Sequence, residues 1–444
     1  MAIRGTRRVL LATIGLAVLV SGARAGGADT IRRPRGIYAV VAETRANKAA
    51  DFDALLSNPA VSGLAIRTFW STLQPEKTRY DFSSLDAAFA AAGARHKTVQ
   101  LILVPGFGTP SWVLDELPSC DDVPLAAGEP ARGRRGGRAQ SGRAEPAQST
   151  RTETAHAPCG KATFEVSEGR GSGQKQALPL PWNPVYKNYW KAFLTQVAAR
   201  FGSNETFVSI AIAGPTAESV EIILPRSGDQ LDRWAALLEI SYRDASYHRS
   251  DKAFVEEWGA AVNMFGEVFR NVTLVVTRGS GLLNFTHGQN EAAQAEIMSA
   301  FAHHGAGPNA KATQTSGLKA CRDTVAGIKG VKEMSTDSSL SPRVLGGAQF
   351  DTSFSQKPAN EGCAASCDAA APACRSITPR QALPNVLAVY FEGTPAGDLF
   401  GSSKGPAQMN YLQIYAPDIT FAATEPAVQA LLEQASQRLL AQAR

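Results

Sequence analysis

Three glutamates stand close behind apolar runs that could deliver them to a common site. The run FVSIAIA, 207–213, leads into AGPTAESVEI, which carries Glu218 and Glu221, and the run VLAVYF, 386–391, ends directly at Glu392. A glutamate in a loop is ordinarily a solvated residue, but Glu392 abuts an apolar stretch, where a charge needs a reason. Carboxylates from two such places, facing each other across a cleft, can divide one reaction between them. One protonates a leaving oxygen while the other attacks carbon or activates water, which is what cleaving a glycosidic bond needs.

Positioning those residues requires a regular scaffold, and the chain offers one. Short apolar runs recur at 36–41 (GIYAVV), 63–67 (GLAIR), 99–104 (VQLILV), 207–213, 272–277 (VTLVVT), 310–315 (AKATQT), 386–391 and 411–415 (YLQIY). Runs without polar alternation suit strands buried on both faces, as in a parallel sheet. Between them, 52–56, 85–92, 186–200 and 251–269 place apolar residues three or four apart, as helices do. Eight such units predict an α/β fold, a (β/α)8 TIM barrel with loop insertions. A doubly wound open sheet is the alternative, but no GxGxxG follows the first strand to support a nucleotide-binding version. On a barrel, chemistry gathers at the C-terminal ends of the strands, where Glu218 or Glu221 would follow strand four and Glu392 strand seven.

The stretch after strand two, IRTFWSTLQPEKTRYDFSSLD, contains Arg67, Trp70, Ser71, Leu73, Pro75, Glu76, Tyr80, Asp81, Phe82, Leu85 and Asp86 in order. It resembles clan A glycoside hydrolases, most closely family 42 and related β-galactosidase-like enzymes. PGFGTPSWV, with Pro110 and Trp112, looks like that group's sugar-binding loop, and Tyr415 at the end of YLQIY looks similar to its aromatic sugar contact. The resemblance implies a retaining mechanism acting on an oligo- or polysaccharide, with Glu218 or Glu221 as acid/base and Glu392 as nucleophile. It also implies that Arg67 hydrogen-bonds the nucleophile. Trp70, Trp112 and Trp182 are candidate sugar platforms, because pyranose CH groups pack against aromatic faces. Trp190, Trp234 and Trp258 lie in helical patterns and read as packing residues. One departure stands out: the clan places Asn before its acid/base glutamate, whereas Ala217 precedes Glu218 and Val220 precedes Glu221. That departure motivates a rival reading, a catalytically inactive carbohydrate-binding barrel at the cell surface.

Other chemistries find no foothold. His303 and His304 lack partners at helical spacing, GRGSG at 169–173 lacks the strand-turn-helix of a nucleophile elbow, and no phosphate-cradling GKS or GKT occurs. No metal or organic cofactor is implied.

Composition places the protein. The chain has 444 residues, 44% hydrophobic and 19% charged, with 45 basic and 40 acidic side chains. Arg4, Arg7 and Arg8 precede an apolar run, 9–20, and the small-residue end Ala23-Arg24-Ala25, the three-part pattern of a secretory signal peptide over 1–25. Twelve apolar residues fall short of the roughly 20 needed to span a bilayer, so a stable membrane anchor is not expected. A chain cut after Ala25 retains 41 basic and 40 acidic residues, a net charge of +1. The expectation is a secreted or periplasmic protein whose barrel occupies 26–444.

Export gives meaning to the six cysteines. Cys120 and Cys159 flank a segment, 124–177, rich in Gly, Ala, Arg, Ser and Gln, which reads as a solvated low-complexity insertion. They are expected to pair with each other, and Cys321, Cys363, Cys367 and Cys374 to form two further bridges. The last three crowd a second irregular segment, 351–379; without a CxxC or a neighbouring histidine, they do not suit zinc. The run ARGRRGGRAQSGR lacks interleaved aromatics, so a nucleic-acid partner is not expected.

Overall fold

The computed structural model describes residues 31–42, 52–122, 159–166, 173–278, 289–304, 311–318, 344–350 and 409–442, with 282, 283, 285, 353, 355 and 387 individually. Eight parallel strands close into a ring. They are β1 (Gly36–Ala42), β2 (Val61–Phe69), β3 (Thr98–Val104), β6 (Phe207–Ala211), β7 (Thr273–Arg278), β8 (Lys311–Leu318), β9 (Val344–Phe350) and β10 (Tyr411–Tyr415). Each pairs in parallel with its neighbours in that order, and β10 returns to β1 through Gly36 opposite Tyr411. The (β/α)8 barrel expected from the run of apolar segments is therefore present.

Residues Ile37 to Val41 are all buried, because the ring covers one face of β1 and the surrounding helices cover the other. Helix α5 (Pro184–Phe201) shows how the outer layer is specified. The Asn183 side chain caps it, accepting from the backbone N–H groups of Val185 and Tyr186 at 3.0 and 3.1 Å, and Pro184 occupies the first turn. Tyr186, Trp190, Phe193, Leu194, Val197 and Phe201 then recur at helical spacing and are buried. In α7 (Lys252–Val268), Phe254, Trp258, Ala261, Val262 and Phe265 follow the same pattern.

The inside of the ring is partly polar. Gln413 on β10 donates to Gln100 on β3 at 2.7 Å, and two strands separate these along the wall, so the bond crosses the interior. Tyr38 reaches over Gly63 to Thr98, with 2.8 Å between the hydroxyls, and the Tyr411 ring lies over Gly347. Both glycines sit where a β-carbon would collide with a tyrosine ring. At the opposite end from the loops that follow the strands, Arg32 fastens the segment entering β1. Its guanidinium donates to the carbonyls of Gly202, Asn204 and Asn271, and its backbone pairs with Val272 just ahead of β7.

Two sequence expectations need correction. The seventh strand of the ring is β9, not 386–391. Leu387, the one described residue of that stretch, is helical and buried. Glu392 therefore does not terminate the seventh strand. Part of 124–177 is also folded, as an antiparallel hairpin of β4 (Lys161–Glu165) and β5 (Lys175–Pro179). Ala162, Phe164 and Val166, at every second position, form its buried face, and Phe164 stacks on Trp234 of α6 (Gln230–Ser241) with centroids 4.4 Å apart. Composition hides this period-2 pattern because small and charged residues interleave it. Cys120 and Cys159 are bonded as expected, with Cα atoms 5.3 Å apart, and close the base of the insertion. Cys321, Cys363, Cys367, Cys374 and Glu392 lie outside the described residues, as does the signal-like segment 1–25. No helix among the described residues is long and apolar enough to cross a membrane.

Candidate active site

The loop that follows β6 carries Glu218 and Glu221, and it is held from several sides. Phe107, in the loop after β3, donates its backbone N–H to the Ala217 carbonyl at 2.9 Å. Arg67, two residues from the end of β2, donates from Nη2 to the Glu218 carbonyl, also at 2.9 Å. Within the loop, the Thr216 hydroxyl lies 2.7 Å from the Ser219 carbonyl and 2.9 Å from that of Glu221, and the Ser219 hydroxyl accepts from the Glu221 N–H at 3.0 Å. Gly214 presses against the face of Trp258, leaving no room for a side chain there. Strand two and the loop after strand three thus brace the loop after strand four, in which Glu218 and Glu221 are half-buried.

Close approach explains the glycine in PGFG. Gly106 has φ +62°, in the left-handed region, and a β-carbon on it would run into the carbonyls of Thr216 and Ala217. Its backbone N–H also faces the hydroxyl of Tyr186 on α5, whose ionisation burial strongly disfavours.

Across the mouth, Gln349 near the end of β9 donates to the Tyr415 hydroxyl at the end of β10, at 3.3 Å. Asp418, buried in the first turn of α9 (Ala416–Thr424), accepts from the Ser353 hydroxyl at 3.0 Å and the Ser355 N–H at 2.7 Å. The helix after the eighth ring strand thereby holds the chain just beyond the seventh. Gln349, Gln413, Gln100 and Asp418 escaped the sequence reading. The signal for the glutamines was a polar residue at an inward position of an otherwise apolar strand, as in YLQIY and TVQLILV.

The aromatic candidates separate. Trp70 is fully buried, which overturns its reading as a sugar platform. It opens α2 (Trp70–Leu73), outside the ring, where its ring packs against Trp112, Tyr186, Trp190 and Phe193 and its Nε1 donates to Gln74 at 2.9 Å. Trp112 is half-buried, meets Tyr189 edge-on, and donates to the Gln74 carbonyl at 3.2 Å. Trp182 is half-buried, beside Tyr242. Trp190, Trp234 and Trp258 are buried packing residues. No cluster of three or more His, Cys, Asp or Glu suited to a metal occurs among the described residues.

The strand order and the braced loop define an eight-stranded (β/α) barrel with a carboxylate-bearing mouth. No protein-family profile matches the sequence, and no curated protein matches it. Among solved structures, a β-galactosidase from Rahnella sp. R3 is 11% identical over 92% of this chain and 57% of that one, with a TM-score of 0.47. A thermostable mutant of the xylanase Xyn10A from Cellvibrio japonicus is 11% identical over 91% and 98%, with a TM-score of 0.44. A β-galactosidase from Marinomonas ef1 is 11% identical over 65% of this chain, with a TM-score of 0.37, and the matched region spans 42% of that enzyme's length.

Proposed function

We propose that this protein is an exported glycoside hydrolase that cleaves an oligo- or polysaccharide through two carboxylates with retention. The observation that carries the reading is Glu218, set at the mouth on the loop after the fourth strand and braced there by Arg67 and Phe107. Glu218 serves as acid/base, with Glu221 as the alternative on the same loop. Its counterpart comes from the chain beyond β9. Glu392 remains the candidate nucleophile, and Asp351, which directly follows Phe350 in sequence, is a second carboxylate to test. Trp112, Trp182 and Tyr415 supply aromatic contacts to the sugar. Export rests on the leader pattern of 1–25 and agrees with the Cys120–Cys159 bond, since disulfides persist in oxidising compartments.

The test is hydrolysis of a panel of aryl glycosides by the wild type and by Glu218→Gln, Glu221→Gln, Glu392→Gln and Asp351→Asn. Loss of the acid/base should spare substrates whose leaving group needs no proton, whereas loss of the nucleophile should abolish turnover of all of them. A carboxyl separation of about 5 to 5.5 Å marks a retaining pair and roughly 6.5 to 9.5 Å an inverting one. Turnover unchanged in both Glu218→Gln and Glu221→Gln would overturn the reading. The rival, a non-catalytic sugar-binding barrel, is favoured by Ala217, which is buried and offers no polar side chain beside Glu218. Sugar binding without turnover by the wild type would decide for it.

A further inference from the structure

Asn-x-Thr, the acceptor pattern for an N-linked glycan, stands at 204–206, 271–273 and 284–286, and Asn284 lies outside the described residues. The first of the three is presented by a tightly bonded turn. Asn204 lies between α5 and β6, at the end of the barrel away from Glu218. Its Oδ1 accepts from the Thr206 N–H at 2.9 Å, its backbone N–H donates to the Phe201 carbonyl at 2.9 Å, and its own carbonyl accepts from Phe207 and from Arg32. The Asn204 side chain is half-buried, and Nδ2, the atom that a glycan would use, makes no hydrogen bond among the described residues.

Beside that amide lies a groove of about 420 Å³ between α3 (Ser83–Ala94) and the last turn of α5. Phe89 and Phe201, stacked with centroids 4.5 Å apart, form its apolar wall, and Asp86 and Arg200 its polar one. The Asp86 oxygens accept from Arg200 at 2.8 and 2.6 Å, which uses two of about four lone-pair sites on a carboxylate. Aromatic edges next to an acceptor with capacity left suit a pyranose, whose CH groups pack on rings and whose hydroxyl and acetamido groups donate.

We propose that Asn204 carries an N-linked glycan and that its first N-acetylglucosamine lies in this groove. The inference rests on the reading of the protein as exported and is independent of the chemistry at the mouth. The step is a group transfer from a lipid-linked pyrophosphate donor to the chain during export. Nδ2 bonds to the anomeric carbon, the bond from that carbon to the phosphate oxygen breaks, the lipid pyrophosphate leaves with the bonding pair, and a base of the transferring enzyme takes one amide proton. The barrel then folds with the sugar beside Phe201.

The full chain with its own leader is secreted from insect cells and peptide-mapped by mass spectrometry before and after peptide N-glycosidase, which leaves aspartate where a glycan was attached. Most copies should carry a glycan at Asn204. Thr206→Ala should remove it and Thr206→Ser should keep part of it, since the acceptor pattern requires a hydroxyl two residues on. Secreted protein bare at Asn204 overturns the proposal and leaves export standing, whereas protein retained in the cell and bare at Asn204 overturns both. The seat is read separately. Glycans are trimmed by an endoglycosidase to one N-acetylglucosamine, and wild type and Asn204→Gln are melted from this host and from a bacterial host that adds no sugar. The bacterial pair subtracts the cost of losing the Oδ1 bond to Thr206. Asn204→Gln should lower the melting temperature by about 1 to 2 °C more in the glycosylated pair than in the bare one. An equal loss in both hosts would put the sugar in solvent and overturn the seat in the groove.

Discussion

The backbone N–H of Phe107 donates to the carbonyl of Ala217 at 2.9 Å, which makes the loops after the third and fourth ring strands a single unit. Gly106 is the point of closest approach between them. Replacing it with alanine forces an L side chain into the left-handed region, at roughly 1 to 2 kcal/mol, and also drives a β-carbon into the Thr216 and Ala217 carbonyls. The loop bearing Glu218 must then shift. Gly106→Ala is expected to lose roughly 2 kcal/mol or more of stability by urea unfolding and to lower kcat at least tenfold while folded, since a misplacement of about 1 Å can cost a hundredfold in rate. Full activity in the folded variant would show that this contact does not position Glu218.

Trp70 gives a second prediction, because its motif and its place in the fold point in different directions. It sits among aromatic rings outside the barrel and exposes nothing to a ligand. Trp70→Ala should destabilise by about 3 to 5 kcal/mol, the range for emptying a large core site. Trp70→Phe should lower the melting temperature yet leave sugar affinity within a factor of two. Trp112→Ala should weaken binding with a smaller loss of stability. Isothermal titration and thermal melts on the three variants separate packing from recognition, and a large affinity loss in Trp70→Phe would reverse the assignment.

Seven of the eight ring strands overlap segments picked out in the sequence, six of them because a parallel strand covered on both faces is apolar nearly throughout, whereas β8, KATQTSGL, is mostly polar. The one strand outside those segments is instructive. β9 reads VLGGAQF, whose paired glycines argue locally against a strand, whereas VLAVYF at 386–391 has the stronger β-propensity. Gly347 is there because the Tyr411 ring on the next strand occupies the space a side chain would fill, a requirement set by the closed ring and invisible to a local window. The same blindness hid Asp418, whose partners Ser353 and Ser355 lie more than sixty residues away in sequence. Arg67 was legible by type and position, but its hydrogen bond to the Glu218 carbonyl depends on how two loops meet.

The hydrogen bond between Gln100 and Gln413 crosses the barrel interior with both side chains buried. Gln413→Leu leaves the Gln100 amide oxygen without its donor and should cost roughly 1 to 3 kcal/mol. Gln100→Leu should cost a similar amount. The double variant should recover most of the loss, since replacing both partners with apolar groups of similar size leaves no stranded acceptor. A double-mutant cycle by urea unfolding reads the coupling directly. Strictly additive losses would mean that the two side chains do not act as a pair.

Tyr38 ties the interior of the barrel to alkaline stability. Its hydroxyl shares a hydrogen bond with Thr98 at 2.8 Å and accepts from the Arg35 N–H at 3.2 Å, but burial dominates and raises its pKa from the ordinary 10.0 to about 12. A group whose folded pKa is raised contributes stability that is fully present below its unfolded value and is lost as pH climbs through the folded one. Between pH 10 and 12 the unfolded chain releases this proton while the folded protein keeps it. Stability should therefore fall by up to about 1.4 kcal/mol per pH unit on account of Tyr38, or roughly 2.7 kcal/mol across the window. Burial also raises Tyr186 and Tyr411, so the wild type should unfold steeply in alkali. Tyr38→Phe is expected to be less stable at pH 8 by about 1 kcal/mol, through the lost hydrogen bond, and to show a shallower decline above pH 10. The curves for wild type and variant should converge as pH rises, because the penalty for holding the phenol neutral is present in one protein alone. Urea unfolding at pH 8, 10, 10.5 and 11 measures that difference, and taking it between two otherwise identical chains cancels the lysines and remaining tyrosines. Parallel curves over the whole range would mean that Tyr38 ionises in the folded barrel as readily as in the unfolded chain.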